Sequence, residues 1–253
     1  MTKYQITRLF FFAILLGSVV LVYLAFVSWW IIGVVVIFYA SLMFYFSMNI
    51  RTGFFLDAIC EMPGEKVMLT FDDGPDTEHT PQILDILKEN EVSAFFFLIG
   101  NKAEQYPEIV KRMIDEGHQI GGHSYQHLKW FGLMGKQKVN DEIMSAQKVL
   151  AEIAGKPVHW FRPPFGVTNP NVSACVRQNG LKMIGWNVRS FDTAMNDANI
   201  LENRMCSRIA SGSVVLMHDR LAQTVEALPG IIAHVKAQGL EFDVLRENDN
   251  QNL

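Results

Sequence analysis

The stretch VMLTFDDGPD, residues 67–76, sets Asp72 beside Asp73 directly after an apolar, strand-like run and stops that run with Gly74-Pro75. Adjacent carboxylates repel, and burying them is costly. Two readings account for the pair: a cap on a turn or helix at the strand end, or a site that binds a cation and moves a proton. HSYQH, residues 123–127, spaces His123 and His127 four apart, so that one helical turn, or a loop mimicking it, brings both imidazoles to one side. Taken alone, that spacing is usually a solvated helix face. Two neutral imidazoles with one carboxylate, however, form a facial set suited to a divalent transition metal, with positions left open for water and substrate. The acidic pair then divides the work: one carboxylate ligates the metal, and the other takes a proton from water whose pKa the metal lowers.

Such a site needs a fold that gathers distant residues. From Lys66 onward, strand-like runs near 66–71, 92–98, 118–122, 158–162, 181–188, 213–217 and 241–245 alternate with helical patterns near 80–90, 101–116, 136–154, 170–179, 196–210 and 221–238. Alternation of this kind predicts an α/β domain of parallel strands joined by helical crossovers. Seven strands exceed the needs of a small open sheet and fall about one short of a complete eight-stranded barrel. The polar clusters all follow strands: Asp72 and Asp73 the first, 123–127 the third, RPPFG (162–166) the fourth, NVRSFD (187–192) the fifth and LMHD (216–219) the sixth. In a parallel α/β barrel these ends share one face, where active sites are built. Thr80 before Pro81 marks a helix start, and Gly117, Gly155, Gly180 and Gly239 mark helix ends.

The beginning of the chain has a different composition. Residues 1–50 carry Lys3 and Arg8 and no acid, and Leu9 to Ile50 is a run of 42 residues without a charge. One bilayer crossing needs about 20 apolar residues, so the run predicts two antiparallel transmembrane helices, roughly 9–27 and 31–49, reversing near Ser28-Trp29-Trp30 and Gly33. A cleaved signal peptide fits poorly, because its apolar region should be only about 7–15 residues; a buried soluble hairpin is the plain alternative. The expected organisation is a membrane segment (1–50), a linker (51–65) punctuated by Pro63-Gly64, and a catalytic domain (66–253). Lys3, Arg8 and Arg51 flank the two spans and the turn between them has no Lys or Arg, so the positive-inside bias leans towards a cytoplasmic catalytic domain on a bacterial-type inner membrane.

Beyond residue 50, 20 Lys and Arg face 26 acids, which gives no basic footprint for nucleic acid. Cys60, Cys175 and Cys206 are odd in number and lack metal-binding spacing, as expected of free thiols. Nothing in the sequence reports an oligomeric state.

TFDDGP, HSYQH, RPPFG and LMHD, in this order and at this spacing, resemble four of the five motifs of the polysaccharide deacetylases of carbohydrate esterase family 4, which share the NodB homology domain; the resemblance covers roughly 64–245. It implies a distorted (β/α)7 barrel and metal-dependent hydrolysis of the N-acetyl group of an amino sugar. Carried onto this chain, it makes Asp73, His123 and His127 the ligands of one divalent ion, zinc first, with cobalt, manganese or nickel as alternatives. Asp72 becomes the general base, oriented by Arg162, for which a structural ion pair is the alternative. The backbone N–H of Phe165, where the family commonly has tyrosine, becomes an oxyanion donor, and the same ring could serve only in packing. His218 becomes the general acid, supported by Asp192, against the alternative of a structural histidine. Trp186, Leu216 and Met217 are expected to line a pocket for the acetyl methyl, or simply to pack in the core.

The fourth motif departs from the family pattern, with Arg189 where an aspartate is frequent and Thr193 where a tryptophan is frequent. The expected function is therefore a membrane-anchored deacetylase whose substrate is an N-acylated amino-sugar glycan or a lipid-linked sugar. An O-acetyl esterase acting on a polysaccharide and an inactive glycan-binding membrane protein are the alternatives.

Overall fold

The computed structural model of the chain describes residues 2–246. Met1 and 247–253, the end of the expected 66–253 domain, lie outside the described residues. Helices α1 (Lys3–Tyr23) and α2 (Trp30–Ser47) form an apolar hairpin in which Phe11 stacks on Tyr39 at 3.8 Å. Only Ser18 of the two helices is buried, and Phe10, Phe12, Leu16, Ile37, Phe38 and Phe44 are among the apolar side chains they expose. At 1.5 Å per residue, the 21- and 18-residue helices reach about 30 Å, the thickness of a bilayer's hydrocarbon core.

The hairpin's open end is fixed to the domain. Ser47 donates its hydroxyl to Thr168 O at 2.5 Å and its carbonyl accepts Thr168 N–H at 2.9 Å, while Phe46 stacks on Phe54 at 3.9 Å. The expected 51–65 linker is packed rather than free: Phe54, Phe55 and Met62 are buried.

The domain is a curled parallel sheet with helices on its outer face, an α/β half-barrel of the expected deacetylase type. Its strands are β1 (Lys66–Gly74), β2 (Phe95–Leu98), β3 (Gln119–Gly122), β4 (Trp160–Phe161), β5 (Lys182–Met183), β6 (Val188–Arg189), β7 (Val214–His218) and β8 (Glu241–Phe242), in the order β5-β4-β3-β2-β1-β7-β6, with β8 beside the start of β1. Side chains alternate between the faces of each strand. Met68, Phe95, Phe97 and Val214 fill the concave interior, whereas Leu69, Phe71, Phe96 and Val215 pack under the helices.

The helix expected near 80–90 forms as α3 (His79–Glu89), whereas two other expected elements divide. The run 101–116 becomes α4 (Gly100–Gln105) and α5 (Pro107–Asp115), because the residue before a proline is disfavoured in helical conformation and Tyr106 takes φ −130°, ψ 58°. The run 181–188 becomes β5 and β6, separated by a gap into which the chain folds back from the linker: Ile59 pairs with Ile184 and Glu61 with Ser213.

Candidate active site

In a regular strand, consecutive side chains face opposite ways, so Asp72 and Asp73 could not serve one site. A bulge resolves this. The β1–β2 register shifts between Asp72 and Gly74, and Asp73 adopts φ 74°, which turns both carboxylates into one cavity at the carboxyl ends of the strands. Ser124, His127, Phe165 and Phe191 also have positive φ. Non-glycine residues held in that region cost on the order of 1 kcal/mol or more each and cluster where function demands it.

Asp73, His123 and His127 each present one ligand atom, and these atoms lie within 4.8 Å of one another. His127 Nε2 is 3.3 Å and His123 Nε2 3.7 Å from Asp73 Oδ1. The Nδ1 of His123 lies 2.8 Å from the carbonyl of Arg162, which can only accept, so Nδ1 carries the proton and the Nε2 lone pair faces the site. Burial pushes the Asp73 carboxyl upward, but His123, His127, His218 and Arg220 outweigh it and bring it down to about 2. Burial, with the neighbouring His123, lowers the His127 imidazole to about 4. An anionic carboxylate and a neutral imidazole at pH 7 are the protonation states that a cation needs, so the donor set fits a divalent transition metal.

Arg162 is completely buried and ties the site to the interior. It donates to Asp72 Oδ1 (2.7 Å), Thr70 Oγ1 (2.7 Å), Ile184 O (3.1 Å) and Gly185 O (2.6 Å), and lies 4.2 Å above the Phe97 ring. These contacts fix the rotamer of the Asp72 carboxylate through one of its oxygens; the other lies 3.8 Å from His123 Nε2. Across the cavity, Asp192 accepts from His218 twice, from Nδ1 at 2.7 Å and from the backbone N–H at 2.7 Å, and from Thr224 Oγ1 at 3.1 Å. Burial would lower the His218 imidazole, but the hydrogen bond and charge of Asp192 raise it above its ordinary value.

The cavity has a volume of about 550 Å³ and is lined by Asp72, Asp73, His123, His127, Phe165 and His218, together with Trp186 and Leu216. The Phe165 ring packs edge-on against His127 at 4.8 Å. Met217 is a correction: strand alternation turns it to the outer core, away from the cavity that Leu216 lines. Arg189 and Thr193 both border the cavity.

Sequence reasoning missed Arg220 and Lys102, and it quoted Asp219 within LMHD without giving it a role. Arg220 donates to Asp73 Oδ2 at 2.9 Å, and Lys102 donates to the Asp73 carbonyl at 2.8 Å. Position 220 directly follows LMHD, a signal that could have been read; Lys102, on a helix, carries none. Asp219 is fully buried behind Gly74, takes a hydrogen bond from Thr80, and is pushed by burial up to about 7.

Residues 60–184 match the family model described as polysaccharide deacetylase. The chain is 36% identical over 184 residues to a peptidoglycan-N-acetylglucosamine deacetylase of Bacillus cereus, covering 71% of this chain and 66% of that protein. It is also 36% identical over 189 residues to a peptidoglycan-N-acetylglucosamine deacetylase of Listeria monocytogenes, covering 75% of this chain and 40% of that protein. The match thus spans two thirds or less of these relatives' own length. A crystal structure of a peptidoglycan N-acetylglucosamine deacetylase superposes with a TM-score of 0.70 at 35% identity, covering 74% of this chain and 89% of that one.

Proposed function

The chain belongs to the polysaccharide deacetylase family, and from that premise we propose that it is a membrane-anchored, metal-dependent deacetylase that hydrolyses the N-acetyl amide of an amino sugar in a glycan or lipid-linked saccharide. The observation that carries this reading is the convergence of Asp72, Asp73, His123, His127 and His218 on one cavity.

Asp73, His123 and His127 would hold the ion, zinc first among the candidates. When bound, it supplies Lewis acidity to the scissile carbonyl and makes water a better nucleophile at neutral pH. Asp72, aimed by Arg162, takes the proton from the attacking water as the oxygen adds to the amide carbon. Negative charge then grows on the carbonyl oxygen, and the backbone N–H of Phe165 is the donor that meets it. His218 gives its proton to the departing nitrogen as the C–N bond breaks, leaving acetate and a free amine. Asp192 keeps that imidazole protonated and correctly turned. Trp186 and Leu216 border the acetyl methyl, and Thr193, lacking an aromatic wall, leaves that side wider.

The names of the relatives make N-acetylglucosamine in peptidoglycan the first substrate to test. The amide reading predicts acetate release from N-acetylated oligosaccharides well above release from O-acetylated xylan; the reverse preference would overturn it in favour of an esterase. The apolar hairpin supports the anchor. Flanking Lys3, Arg8 and Arg51 support a cytoplasmic domain, for which alkaline phosphatase fused after Leu253 should be silent and a fluorescent protein there bright. An active phosphatase would reverse the orientation.

A further inference from the structure

A second feature lies beside the cavity, on the loop that follows the two histidines. Trp130 is 58% and Leu133 91% exposed, although Phe131 between them is fully buried. Burial of Phe131 anchors the loop, and a 3-10 turn (Phe131–Leu133) holds its shape. Asn169 Nδ2 donates to Gly132 O at 2.7 Å, and Asn171 Nδ2 donates to Met134 O at 3.0 Å. The two apolar side chains are thus held outward by a fixed backbone, and apolar surface that is rimmed by polar residues is what marks an interaction site.

Along the chain, the charges that flank them have one sign. No acid occurs from 117 to 140, while Lys129, Lys136 and Lys138 are exposed and, among the described residues, none is in an ion pair. Lys136 and Lys138 sit in the first turn of α6 (Lys136–Ala154), where the helix dipole disfavours cations and no acid compensates. Asp141, the first acid beyond, is hydrogen-bonded to Gln137.

The loop also lies next to the base of the hairpin. Gly132 packs against Val167 and bonds to Asn169, and Thr168 between them is the residue that holds Ser47 at the end of α2. An aromatic and an aliphatic tip ringed by lysines is the composition that enters the interface of an anionic bilayer. We propose that residues 128–138 dock onto an anionic lipid surface beside the hairpin, inserting Trp130 and Leu133 among the headgroups. Lys129 borders both this loop and the catalytic cavity, so docking sets the cavity mouth at the membrane surface, facing a substrate held there. The inference rests on the membrane-anchored reading above.

The test uses the full chain in vesicles of phosphatidylglycerol and phosphatidylcholine, with Cys60, Cys175 and Cys206 replaced by Ala and an environment-sensitive dye on a single cysteine. The dye on Leu133→Cys should be quenched by lipids carrying a spin label near the headgroup, while Lys148→Cys, further along α6, should not be. Ile37→Cys, midway along α2, reports the hairpin through lipids spin-labelled deep in the acyl chain. Pure phosphatidylcholine, or K136Q with K138Q, should weaken quenching at 133 and leave 37 unchanged; each lysine near anionic lipid biases docking about fivefold. Quenching at 37 without quenching at 133 overturns the proposal and leaves the anchor standing, whereas no quenching at 37 overturns both. Cross-linking between copies through position 133 would instead assign the patch to a second copy of this chain. Should the cysteine-free protein fail to fold, hydrogen exchange of the unaltered chain decides. Amides of 128–138 should exchange more slowly in phosphatidylglycerol nanodiscs than in phosphatidylcholine ones, and equal exchange overturns the proposal.

Discussion

Replacing Arg162 by Met should destabilise the protein, and replacing Asp72 by Asn as well should restore part of the loss. Arg162 is the largest fully buried polar side chain, and its guanidinium serves four acceptors at 2.6–3.1 Å. Methionine leaves the Asp72 carboxylate buried without its cation, a change worth about 3–5 kcal/mol, and strips donors from the carbonyls of Ile184 and Gly185. At about 2–4 °C per kcal/mol for a domain of this size, Tm should fall by roughly 6–20 °C. The amide that Asp72→Asn introduces carries no charge, so in the Arg162→Met background the uncompensated ion disappears. The coupling between the two positions should be about 1–3 kcal/mol. The assay is thermal unfolding of the four forms in detergent, followed by near-ultraviolet circular dichroism with a chelator present throughout, so that metal affinity does not enter. Additivity within about 0.5 kcal/mol would refute the view that Arg162 acts chiefly as the fixed counter-ion of Asp72.

Asp192→Asn removes the anion that raises the His218 imidazole. Because the acid form is then lost at lower pH, the alkaline limb of the kcat profile should move to lower pH; an unmoved limb counts against His218 as the acid. Phe165→Gly keeps the backbone N–H and relieves a φ of 59°, so turnover should stay within about tenfold while stability holds or rises by up to about 1 kcal/mol; a loss of a thousandfold would show that the ring, not the main chain, does the work. A Cβ on Gly74 would lie 2.1 Å from Asp219 Oδ2, so Gly74→Ala should cost about 1–3 kcal/mol in chemical denaturation, and an unchanged midpoint would contradict the close approach.

The alternation of strands and helices was legible because both periodicities are local, and the polar clusters could be placed because each ends a strand. The bulge at Asp73 was not legible, since it depends on how β2 pairs beyond Asp72. Neither was the split of 181–188, because the segment that fills the gap comes from Ile59 and Glu61, more than a hundred residues earlier. Met217 was a different kind of miss: strand alternation alone opposes it to Leu216. The break before Pro107 was likewise within reach of the rule for residues preceding proline. Arg220, directly after LMHD, was within reach of that motif, but its pairing with Asp73 became visible only when the strand ends stood side by side.

The central claim is that the two adjacent aspartates do different work, and one titration tests it most directly. Chelator-stripped wild type, Asp72→Asn and Asp73→Ala are titrated with zinc while acetate release from an N-acetylglucosamine oligomer is followed in the same sample. Wild type should take up one ion per chain and turn over. Asp72→Asn should take up the ion and stay inactive, and Asp73→Ala should do neither. Turnover by Asp72→Asn near the wild-type rate, or tight stoichiometric zinc binding by Asp73→Ala, would contradict the account.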